Sequence, residues 1–249
     1  MYKIAFIDLD GTLLNSQKQM SEFDCLALKK ASEQIKIVFA SARGYNRIKP
    51  YVEQIGTNSN SNYTLAFNGG LLINNTEEVR LIDNCINSNN LNSLLNWCNE
   101  VVSTSEIFVY TYEKSLKMQK GEVSSQPIYK VVIIDTSENI LTIRNSIPNG
   151  LTELFEITSS EPTRIEFVQK GITKKQAILA LLKHFNISEK EMIAIGDGEN
   201  DILMLDLAGM AIAMGNASKE VKYHANIITD TNDNSGVGKA LNKILNLGL

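Results

Sequence analysis

An apolar segment near the start of the chain ends in two aspartates separated by one residue, and this feature restricts the possible folds most strongly. Residues 4 to 7 are all apolar, Asp8-Leu9-Asp10 follows them, and Gly11 comes next. We interpret residues 4 to 7 as a buried strand and Gly11 as the start of the turn that leaves it. Side chains alternate along a strand, so Asp8 and Asp10 are expected on one face with their carboxylates about 6–7 Å apart. Since burying an unpaired carboxylate is costly, the pair predicts an exposed crevice, a bound cation, or both.

The same residues also have an interpretation without chemistry. Asp8-Leu9-Asp10-Gly11 is compatible with a turn in which the aspartate carboxylates accept hydrogen bonds from backbone amides. The choice between the two interpretations depends on whether other parts of the chain bring matching groups to the same place.

Composition argues against several classes of protein. The chain has 249 residues and 43% hydrophobic content, which is enough to bury a substantial core. Its formal charge is -4 and its basic residues are spread along the chain, so we expect neither a nucleic-acid nor a membrane partner. Cys25, Cys85 and Cys98 are odd in number and lack metal or redox spacing, which suits a reducing compartment. No apolar run reaches the ~20 residues of a membrane span, so we expect a cytoplasmic protein, either a monomer or a small homo-oligomer.

Apolar strands alternate with helical patterns in the first and last parts of the chain. This alternation predicts an α/β fold whose core is a doubly wound, mostly parallel sheet built from residues 1–83 and 164–249. In open sheets of this kind, ligands bind at the carboxyl ends of the strands. The strands predicted in these segments are residues 4–7, 35–40, 63–67, 164–168, 192–195, 210–214 and 226–228, with a small hairpin at 71–73 and 79–82.

Residues 84–163 have a different character, and we interpret them as an inserted, smaller α/β domain. They contain neither a carboxylate pair nor a Gly-rich phosphate loop, so we expect the insertion to contribute no catalytic residue. Its predicted elements are helices at 91–102 and 140–147, strands at 107–112, 129–135 and 154–157, and a lysine-bearing turn at 114–121.

Asp197 and Asp201 form a second acidic cluster, at the end of a predicted strand and in the first turn of the next helix. Because they are four residues apart, their carboxylates can share one face. Magnesium prefers oxygen ligands and usually takes one or two carboxylates together with waters and phosphate. Alternatively, Asp201 is a carboxylate favoured by the helix dipole and Asp197 is a turn former. Asp8 can meet Asp197 only if the first and last parts of the chain share one sheet.

The acidic segments resemble motifs of a known family. Asp8-Leu9-Asp10-Gly11-Thr12-Leu13-Leu14 resembles the first motif of the haloacid dehalogenase superfamily, and Gly196-Asp197-Gly198-Glu199-Asn200-Asp201 resembles the fourth. Most members of this superfamily are magnesium-dependent phosphohydrolases. Its Cof-like branch carries an α/β cap between the second and third motifs, and three segments are similar to that branch: Phe67-Asn68-Gly69-Gly70, Met214-Gly215-Asn216-Ala217 and Asn234-Ser235-Gly236-Val237.

The resemblance implies roles for the acidic residues. Asp8 is expected to be the nucleophile that forms an aspartyl phosphate, and Asp10 the general acid and base. The expected cofactor is Mg²⁺, held by Asp8, the backbone carbonyl of Asp10 and Asp197, with Asp201 in support.

Two further motif residues are expected to hold the phosphoryl oxygens. Ser41 resembles the hydroxyl of the second motif and Lys174 the lysine of the third. The sequence departs from the family at the next position in each motif, where Ala42 and Lys175 stand in place of the common glycine. Lys175 therefore competes with Lys174 for the role, although Gly-Ile-Thr-Lys aligns best through Lys174.

The remaining candidates are side chains for the leaving part of the substrate. They lie beside the motifs or in the lysine-bearing turn: Arg43, Asn68, Lys117, Lys120, Asn200 and Asn216. By the resemblance, residues 84–163 would be a cap that determines substrate specificity.

These expectations lead to a preferred function and its alternatives. The preferred one is a magnesium-dependent phosphatase that hydrolyses a small phosphorylated metabolite, such as a sugar phosphate, through an aspartyl phosphate. One alternative is a phosphomutase similar to phosphomannomutase, which returns the phosphoryl group to a sugar. The other is a binding module without catalysis, such as a phospho-accepting receiver, but a receiver carries its acceptor aspartate after the third strand, where this chain has Asn68.

Overall fold

The computed structural model describes residues 1–56, 63–102, 105–118, 126–159 and 161–249. The chain divides into two compact units, and each is described separately. The first unit combines Met1–Ile82 with Thr173–Leu249, and the second consists of Asp83–Ile172.

The regular elements of the described residues are numbered in chain order. The strands are β1 Ile4–Ile7, β2 Lys36–Ala40, β3 Tyr63–Ala66, β4 Leu71–Asn74, β5 Arg80–Asp83, β6 Glu106–Thr111, β7 Ser115–Lys117, β8 Ile128–Ile134, β9 Phe155–Thr158, β10 Arg164–Gln169, β11 Met192–Gly196, β12 Met210–Ala213 and β13 Ile227–Ile228. The helices are α1 Glu22–Ser32, α2 Lys49–Ile55, α3 Ser88–Val101, α4 Ser137–Ser146, α5 Asn149–Leu154, α6 Lys174–Phe185, α7 Ile202–Leu205, α8 Lys219–Tyr223 and α9 Gly236–Leu245.

The sheet of the first unit joins the two ends of the chain. Its strand order is β13-β12-β11-β1-β2-β3-β4-β5 among the described residues. β1 lies at its centre and pairs in parallel with both β2 and β11. β3 and β4 form an antiparallel pair on one side of it. The prediction of a mostly parallel α/β sheet is confirmed, and the carboxyl ends of β1, β2 and β11 lie at the same edge.

The central strands are buried because their sequences are apolar without alternation, as a parallel sheet covered on both faces requires. All four residues of β1 have no exposed surface. Helices α1 and α6 begin at side-chain caps, where Ser21 accepts a hydrogen bond from the amide of Asp24 and Thr173 from that of Gln176. The Thr173 cap places Lys174 at the first position of α6, directly beside the sheet edge.

The second unit is an antiparallel sheet with helices against it. Its strand order is β7-β6-β8-β10-β9. Apolar side chains from one face, including Val131 and Phe167, form a core with α3, α4 and α5. Strand alternation places Lys130 and Glu166 on the opposite face. They form a buried ion pair, with Lys130 Nζ 2.9 Å from Glu166 Oε2, and the apolar pattern did not predict this pair.

Two segments of the second unit differ from the sequence-based expectation. Residues 164–168, which were placed in the first unit, are part of β10, and this strand pairs with β8 and β9 of the second unit. The predicted lysine-bearing turn at 114–121 is wrong in its first part, because the turn closes early, with the amide of Thr111 donating to the carbonyl of Lys114. Lys117 therefore lies on β7, which pairs with β6, and Lys120 lies outside the described residues.

None of the helices in the described part of the chain has both the length and the apolarity to cross a bilayer.

Candidate active site

Three aspartates and a lysine meet at the carboxyl edge of the first unit's sheet. Asp8 follows β1, and its amide donates to the carbonyl of Ile195 in β11 at 3.0 Å. Asp197 follows β11, and Asp201 lies four residues later. Lys174 reaches the same point from the start of α6. Carboxylate oxygens of the three aspartates lie within 4.8 Å of one another.

Lys174 links two of these aspartates. Its Nζ lies 2.6 Å from Asp8 Oδ1 and 2.6 Å from Asp201 Oδ1, and all three side chains are buried. The other oxygen of Asp201 accepts hydrogen bonds from the amides of Asp197 at 3.1 Å and Gly198 at 3.0 Å. Asp201 therefore orients both the lysine and the backbone that carries Asp197.

Two glycines allow these segments to approach so closely. Gly11 has a φ of 82°, and a Cβ at this position would lie 2.3 Å from Asp197 Oδ2. Gly69 has a φ of 107°, and a Cβ there would lie 2.4 Å from the carbonyl oxygen of Thr173. Any L-residue would be strained at both positions and would push the first motif from Asp197 or the loop after β3 from α6.

The cluster carries three carboxylates but one ammonium group from the described residues. Burial raises the pKa of Asp8 well above its ordinary value; Lys174 opposes this effect, and the charges of Asp201 and Asp197 add to it. Burial also raises the pKa of Asp197 to about 6. For Lys174, burial acts to lower the pKa, but the negative charges of Asp201 and Asp8 raise it above its ordinary value. The site thus has an excess of negative charge.

The donor set fits a hard divalent cation. Asp8, Asp197 and Asp201 supply oxygen ligands, which Mg²⁺ and Ca²⁺ prefer, and no sulfur or imidazole ligand is among them. A cation would also compensate the excess negative charge that raises the pKa of Asp8 and Asp197. The residues present could therefore hold a metal ion.

We expect the metal-free protein to become less stable, relative to Asp197→Asn, as the pH rises from about 4 to about 6. The pKa of Asp197 is raised from 3.8 to about 6 on folding, so the folded state binds more protons than the unfolded state in this interval. Asparagine at this position has no such titration. Thermal unfolding midpoints of both proteins in chelator, measured across this interval, test the prediction, and a constant difference between them would contradict it. Added Mg²⁺ should reduce the pH dependence, because a bound cation favours the ionised carboxylate.

Asp10 lies in a different arrangement, held by two cations. Arg43 donates from Nε to Asp10 Oδ2 at 2.6 Å and from Nη2 to Asp10 Oδ1 at 2.7 Å. Lys18 Nζ lies 2.9 Å from Asp10 Oδ1. The hydroxyl of Tyr51 accepts from Arg43 Nη1 at 3.2 Å and donates to the carbonyl of Lys18 at 3.0 Å. These contacts join the loop after β1 to the loop after β2.

This arrangement keeps Asp10 ionised. Burial acts to raise the pKa of Asp10, but hydrogen bonds from Arg43 and Lys18 and their positive charges lower it to about 2. An ionised Asp10 can accept a proton from water. To act as an acid it must first take up a proton, which requires release of its contacts with Arg43 and Lys18.

Ser41, Asn68 and Asn200 lie around the same sheet edge. Ser41 is buried directly after β2, and its hydroxyl oxygen accepts from the amide of Arg43 at 3.2 Å. Its carbonyl accepts from the amide of Asn68 at 3.0 Å. Asn68 has left-handed backbone with a φ of 55°, and its side-chain oxygen lies 3.5 Å from Asn200 Nδ2. These contacts connect the loops that follow β2, β3 and β11.

Asn216 is also in contact with the acidic segments. Its Nδ2 donates to the carbonyl of Gly11 at 2.8 Å and lies 3.4 Å from Asp197 Oδ2. Thr12 donates from its hydroxyl to Asp197 Oδ1 at 2.7 Å. Thr12, Lys18 and Tyr51 were not predicted as site residues; Thr12 lies within the first motif, whereas no sequence pattern marks Lys18 or Tyr51.

The predicted lysines are distributed unevenly. Lys174 is in the acidic cluster, whereas the adjacent Lys175 is half-buried and forms no ion pair with any described residue. Lys117 belongs to the second unit, is exposed, and forms an ion pair with Glu106. Lys120 lies outside the described residues.

A protein-family model matches most of the chain. The model is described as haloacid dehalogenase-like hydrolase and matches residues 5–122 and 102–241. These residues include both acidic segments and the insertion. The expectation from the motifs is thereby confirmed at the level of the family.

Similar proteins cover nearly the whole chain. YxeH of Bacillus subtilis is 28% identical over 268 aligned positions, covering 98% of this chain and 99% of that protein. The 5-amino-6-(5-phospho-D-ribitylamino)uracil phosphatase YcsE of Bacillus subtilis is 28% identical over 251 positions, covering 96% and 94%. A crystal structure of a haloacid dehalogenase-like hydrolase from Bacteroides thetaiotaomicron aligns with a TM-score of 0.88 and 28% identity, covering 98% and 100%. The chain therefore belongs to the haloacid dehalogenase superfamily, in its Cof-like branch, and is a phosphohydrolase.

Proposed function

We propose that the protein is a magnesium-dependent phosphatase that hydrolyses a small phosphomonoester through an aspartyl phosphate on Asp8. The observation that carries the proposal is the cluster of three carboxylates within 4.8 Å of one another, two of which are buried and linked by one lysine. Phosphoryl transfer depends mainly on positioning and on neutralisation of charge on the phosphoryl oxygens. A cluster that needs a cation and holds a buried lysine meets both requirements.

Asp8 is the nucleophile in this proposal. Lys174 holds Asp8 Oδ1, so Oδ2 is the oxygen that attacks phosphorus as the bond between phosphorus and the leaving oxygen breaks. The ammonium group of Lys174 and the hydroxyl of Ser41 stabilise the phosphoryl oxygens during transfer. When bound to Asp8, Asp197, Asp201 and the carbonyl of Asp10, Mg²⁺ would offset the repulsion between the carboxylate and the phosphate.

Asp10 serves both half-reactions. In the first, it protonates the oxygen of the leaving group. Because Asp10 is ionised in the free protein, substrate binding must open its contacts with Arg43 and Lys18 so that it can take up this proton from solvent. In the second, the ionised Asp10 accepts a proton from the water that attacks the aspartyl phosphate. Arg43, once released, can bind the leaving group, and Asn68 and Asn200 lie at the same sheet edge to contact it.

We expect Asp10→Asn to reduce kcat by about 10²–10⁴-fold on alkyl phosphates, the usual contribution of a general acid and base, with a smaller change in KM. The backbone carbonyl is kept, so the Mg²⁺ requirement should stay the same. The first step with p-nitrophenyl phosphate should be less affected, because its leaving group needs no proton. Single-turnover and steady-state rates measure both effects. A rise in KM at unchanged kcat would instead assign Asp10 to substrate binding.

The relatives and the sequence support the substrate class that we propose. YcsE is named for a phosphatase reaction on a phosphorylated ribityl compound of low molecular mass. We infer a small phosphorylated metabolite for this chain, with a sugar phosphate or similar monoester as the first choice. A nucleic-acid substrate is disfavoured by the formal charge of -4.

We further propose that the second unit acts as the cap that determines specificity, because all the carboxylates of the cluster belong to the first unit. Lys117→Ala should then change the ranking among phosphate esters while leaving p-nitrophenyl phosphate hydrolysis unchanged. Glu106→Ala, which removes the partner of Lys117, separates loss of the ion pair from loss of the lysine. Equal losses on every substrate would assign Lys117 to stability.

A phosphate-release assay tests the proposed function. The purified protein is given a panel of sugar phosphates, nucleotides and cofactor phosphates, with Mg²⁺ or with chelator. We expect inorganic phosphate from at least one small monoester, with Mg²⁺ only. Full activity in chelator would remove the metal from the proposal, and formation of an isomeric sugar phosphate without phosphate release would identify a mutase.

A further inference from the structure

The side chain of Asn216 bridges the two acidic segments, and both of its polar atoms have protein partners. Its Nδ2 donates to the carbonyl of Gly11 at 2.8 Å and to Asp197 Oδ2 at 3.4 Å. Its Oδ1 accepts from the amide of Asn232 at 3.1 Å. A primary amide has two N–H donors and one carbonyl oxygen. Both N–H groups of Asn216 and its carbonyl oxygen therefore already have protein partners.

The loop after β13, whose Asn232 donates to Asn216, also contacts the segment after Asp10 through two side chains. Asn232 Nδ2 donates to the carbonyl of Leu14 at 2.9 Å. Asp233 accepts two hydrogen bonds from Ser16, one from the amide at 2.7 Å and one from the hydroxyl at 2.6 Å. The partners are more than 200 residues apart in the chain, so no local turn requires these contacts.

We propose that Asn216, Asn232 and Asp233 are positioning residues that hold Asp197 and the segment after Asp10 in the geometry that binds the metal ion. Asn216 was a candidate for substrate binding, and this assigns it to the support of the site instead. The inference rests on the proposed function only in taking the cation to be Mg²⁺.

The physical reason is that carboxylate ligands need partners of their own. Asp197 has one oxygen bound by Thr12 at 2.7 Å and the other near Asn216. Such partners orient a ligating carboxylate before the ion arrives, and their loss typically costs 10–100-fold in metal affinity or activity. Asn216 contacts both Asp197 and the carbonyl of Gly11, next to Asp10, so it sets the distance between the two sides of the site.

The test compares Asn216→Ala and Asn232→Ala with Asn234→Ala. Asn234 is in the same loop as Asn232 and is an exposed asparagine like Asn216. Its side chain, however, donates to Thr231 within the loop at 2.9 Å. Mg²⁺ affinity is measured by calorimetry without substrate, together with kcat, KM and the unfolding midpoint in chelator. We expect about 10–100-fold weaker Mg²⁺ binding for Asn216→Ala, a smaller loss for Asn232→Ala, and no change for Asn234→Ala.

Asp233 supplies a conservative pair of variants. Asp233→Asn keeps an acceptor for the amide of Ser16 and should bind Mg²⁺ as the wild type does, whereas Asp233→Ala should bind it more weakly. Asp230→Ala is the matched control, because Asp230 lies in the same loop and pairs with Lys239 at 2.6 Å. A merely structural role would lower the midpoint of the alanine variants without weakening Mg²⁺ binding by the folded protein.

The outcomes separate this inference from the proposed function. Wild-type Mg²⁺ affinity in folded Asn216→Ala would overturn the inference even if the protein proves to be a magnesium-dependent phosphatase. Weaker Mg²⁺ binding by Asn216→Ala, with Asn234→Ala unchanged, would support it even if no phosphatase substrate is found. A higher KM with unchanged kcat and unchanged Mg²⁺ affinity would return Asn216 to substrate binding and overturn the inference.

Discussion

Asp8→Asn is expected to lower turnover by at least about 10⁴-fold, the scale on which enzymes lose activity without their nucleophile. The substitution keeps the shape of the side chain and removes the charge that attacks phosphorus. The free energy of unfolding should not decrease. Since burial and the neighbouring aspartates hold the pKa of Asp8 well above its ordinary value, a neutral amide at this position is expected to leave stability in chelator unchanged or increased.

Phosphate release, burst kinetics and thermal unfolding measure these effects. Asp24→Asn is the matched control, because Asp24 is another buried aspartate of the first unit and is not part of the cluster. Its Oδ1 accepts a hydrogen bond from the amide of Gly238, near the start of α9, at 2.6 Å. That variant should keep wild-type turnover. Substantial hydrolysis by folded Asp8→Asn protein, or trapping of phosphate on another residue, would remove Asp8 from the nucleophile's role.

Lys174→Met is expected to destabilise the metal-free protein by about 3–5 kcal/mol, the usual cost of leaving a buried charge without its partner. Lys174 is the ammonium group between Asp8 and Asp201, which are both buried. Methionine has a similar length and flexibility, so it fills the space without the charge. Turnover should fall as well, because the phosphoryl oxygens lose a cation.

Denaturant unfolding with and without Mg²⁺ measures the loss of stability. Mg²⁺ should restore part of it, since a bound cation compensates the same carboxylates. Lys175→Met is the control, because Lys175 is adjacent and half-buried but forms no ion pair with a described residue. We expect little change from it. If Lys175→Met abolished turnover and Lys174→Met did not, Lys175 would be the lysine that binds phosphate.

Much of the site could be predicted because its key residues lie where strands end. Asp8 follows an unbroken apolar run, and so does Asp197, and such runs form the central strands of a parallel sheet. The carboxyl ends of parallel strands share one edge, so the two aspartates were expected to meet if the first and last parts of the chain share one sheet. The same pattern, with the motif resemblance, identified the superfamily before any contact was known.

The sequence could not assign every strand to its sheet. Arg164–Gln169 contains the apolar residues Ile165, Phe167 and Val168 and has the pattern of a buried strand, but it pairs with β8 and β9 of the second unit. Periodicity shows that a segment is a strand and which side is buried, and it does not identify the neighbouring strand. Lys117 was misplaced for a similar reason, since the turn at Thr111 closes through one local backbone contact.

The sequence by itself determined which residues end the central strands and therefore predicted that Asp8 and Asp197 lie at one sheet edge. Only the tertiary structure decided how those carboxylates are held. Arg43 and Lys18 hold Asp10, Asn216 bridges Gly11 and Asp197, and Lys130 pairs with Glu166 in the second unit. Each of these contacts joins residues from different loops or strands, and its distance depends on how complete elements pack. Local patterns report burial and alternation, whereas the partner of a polar side chain is set by the three-dimensional arrangement of the whole unit.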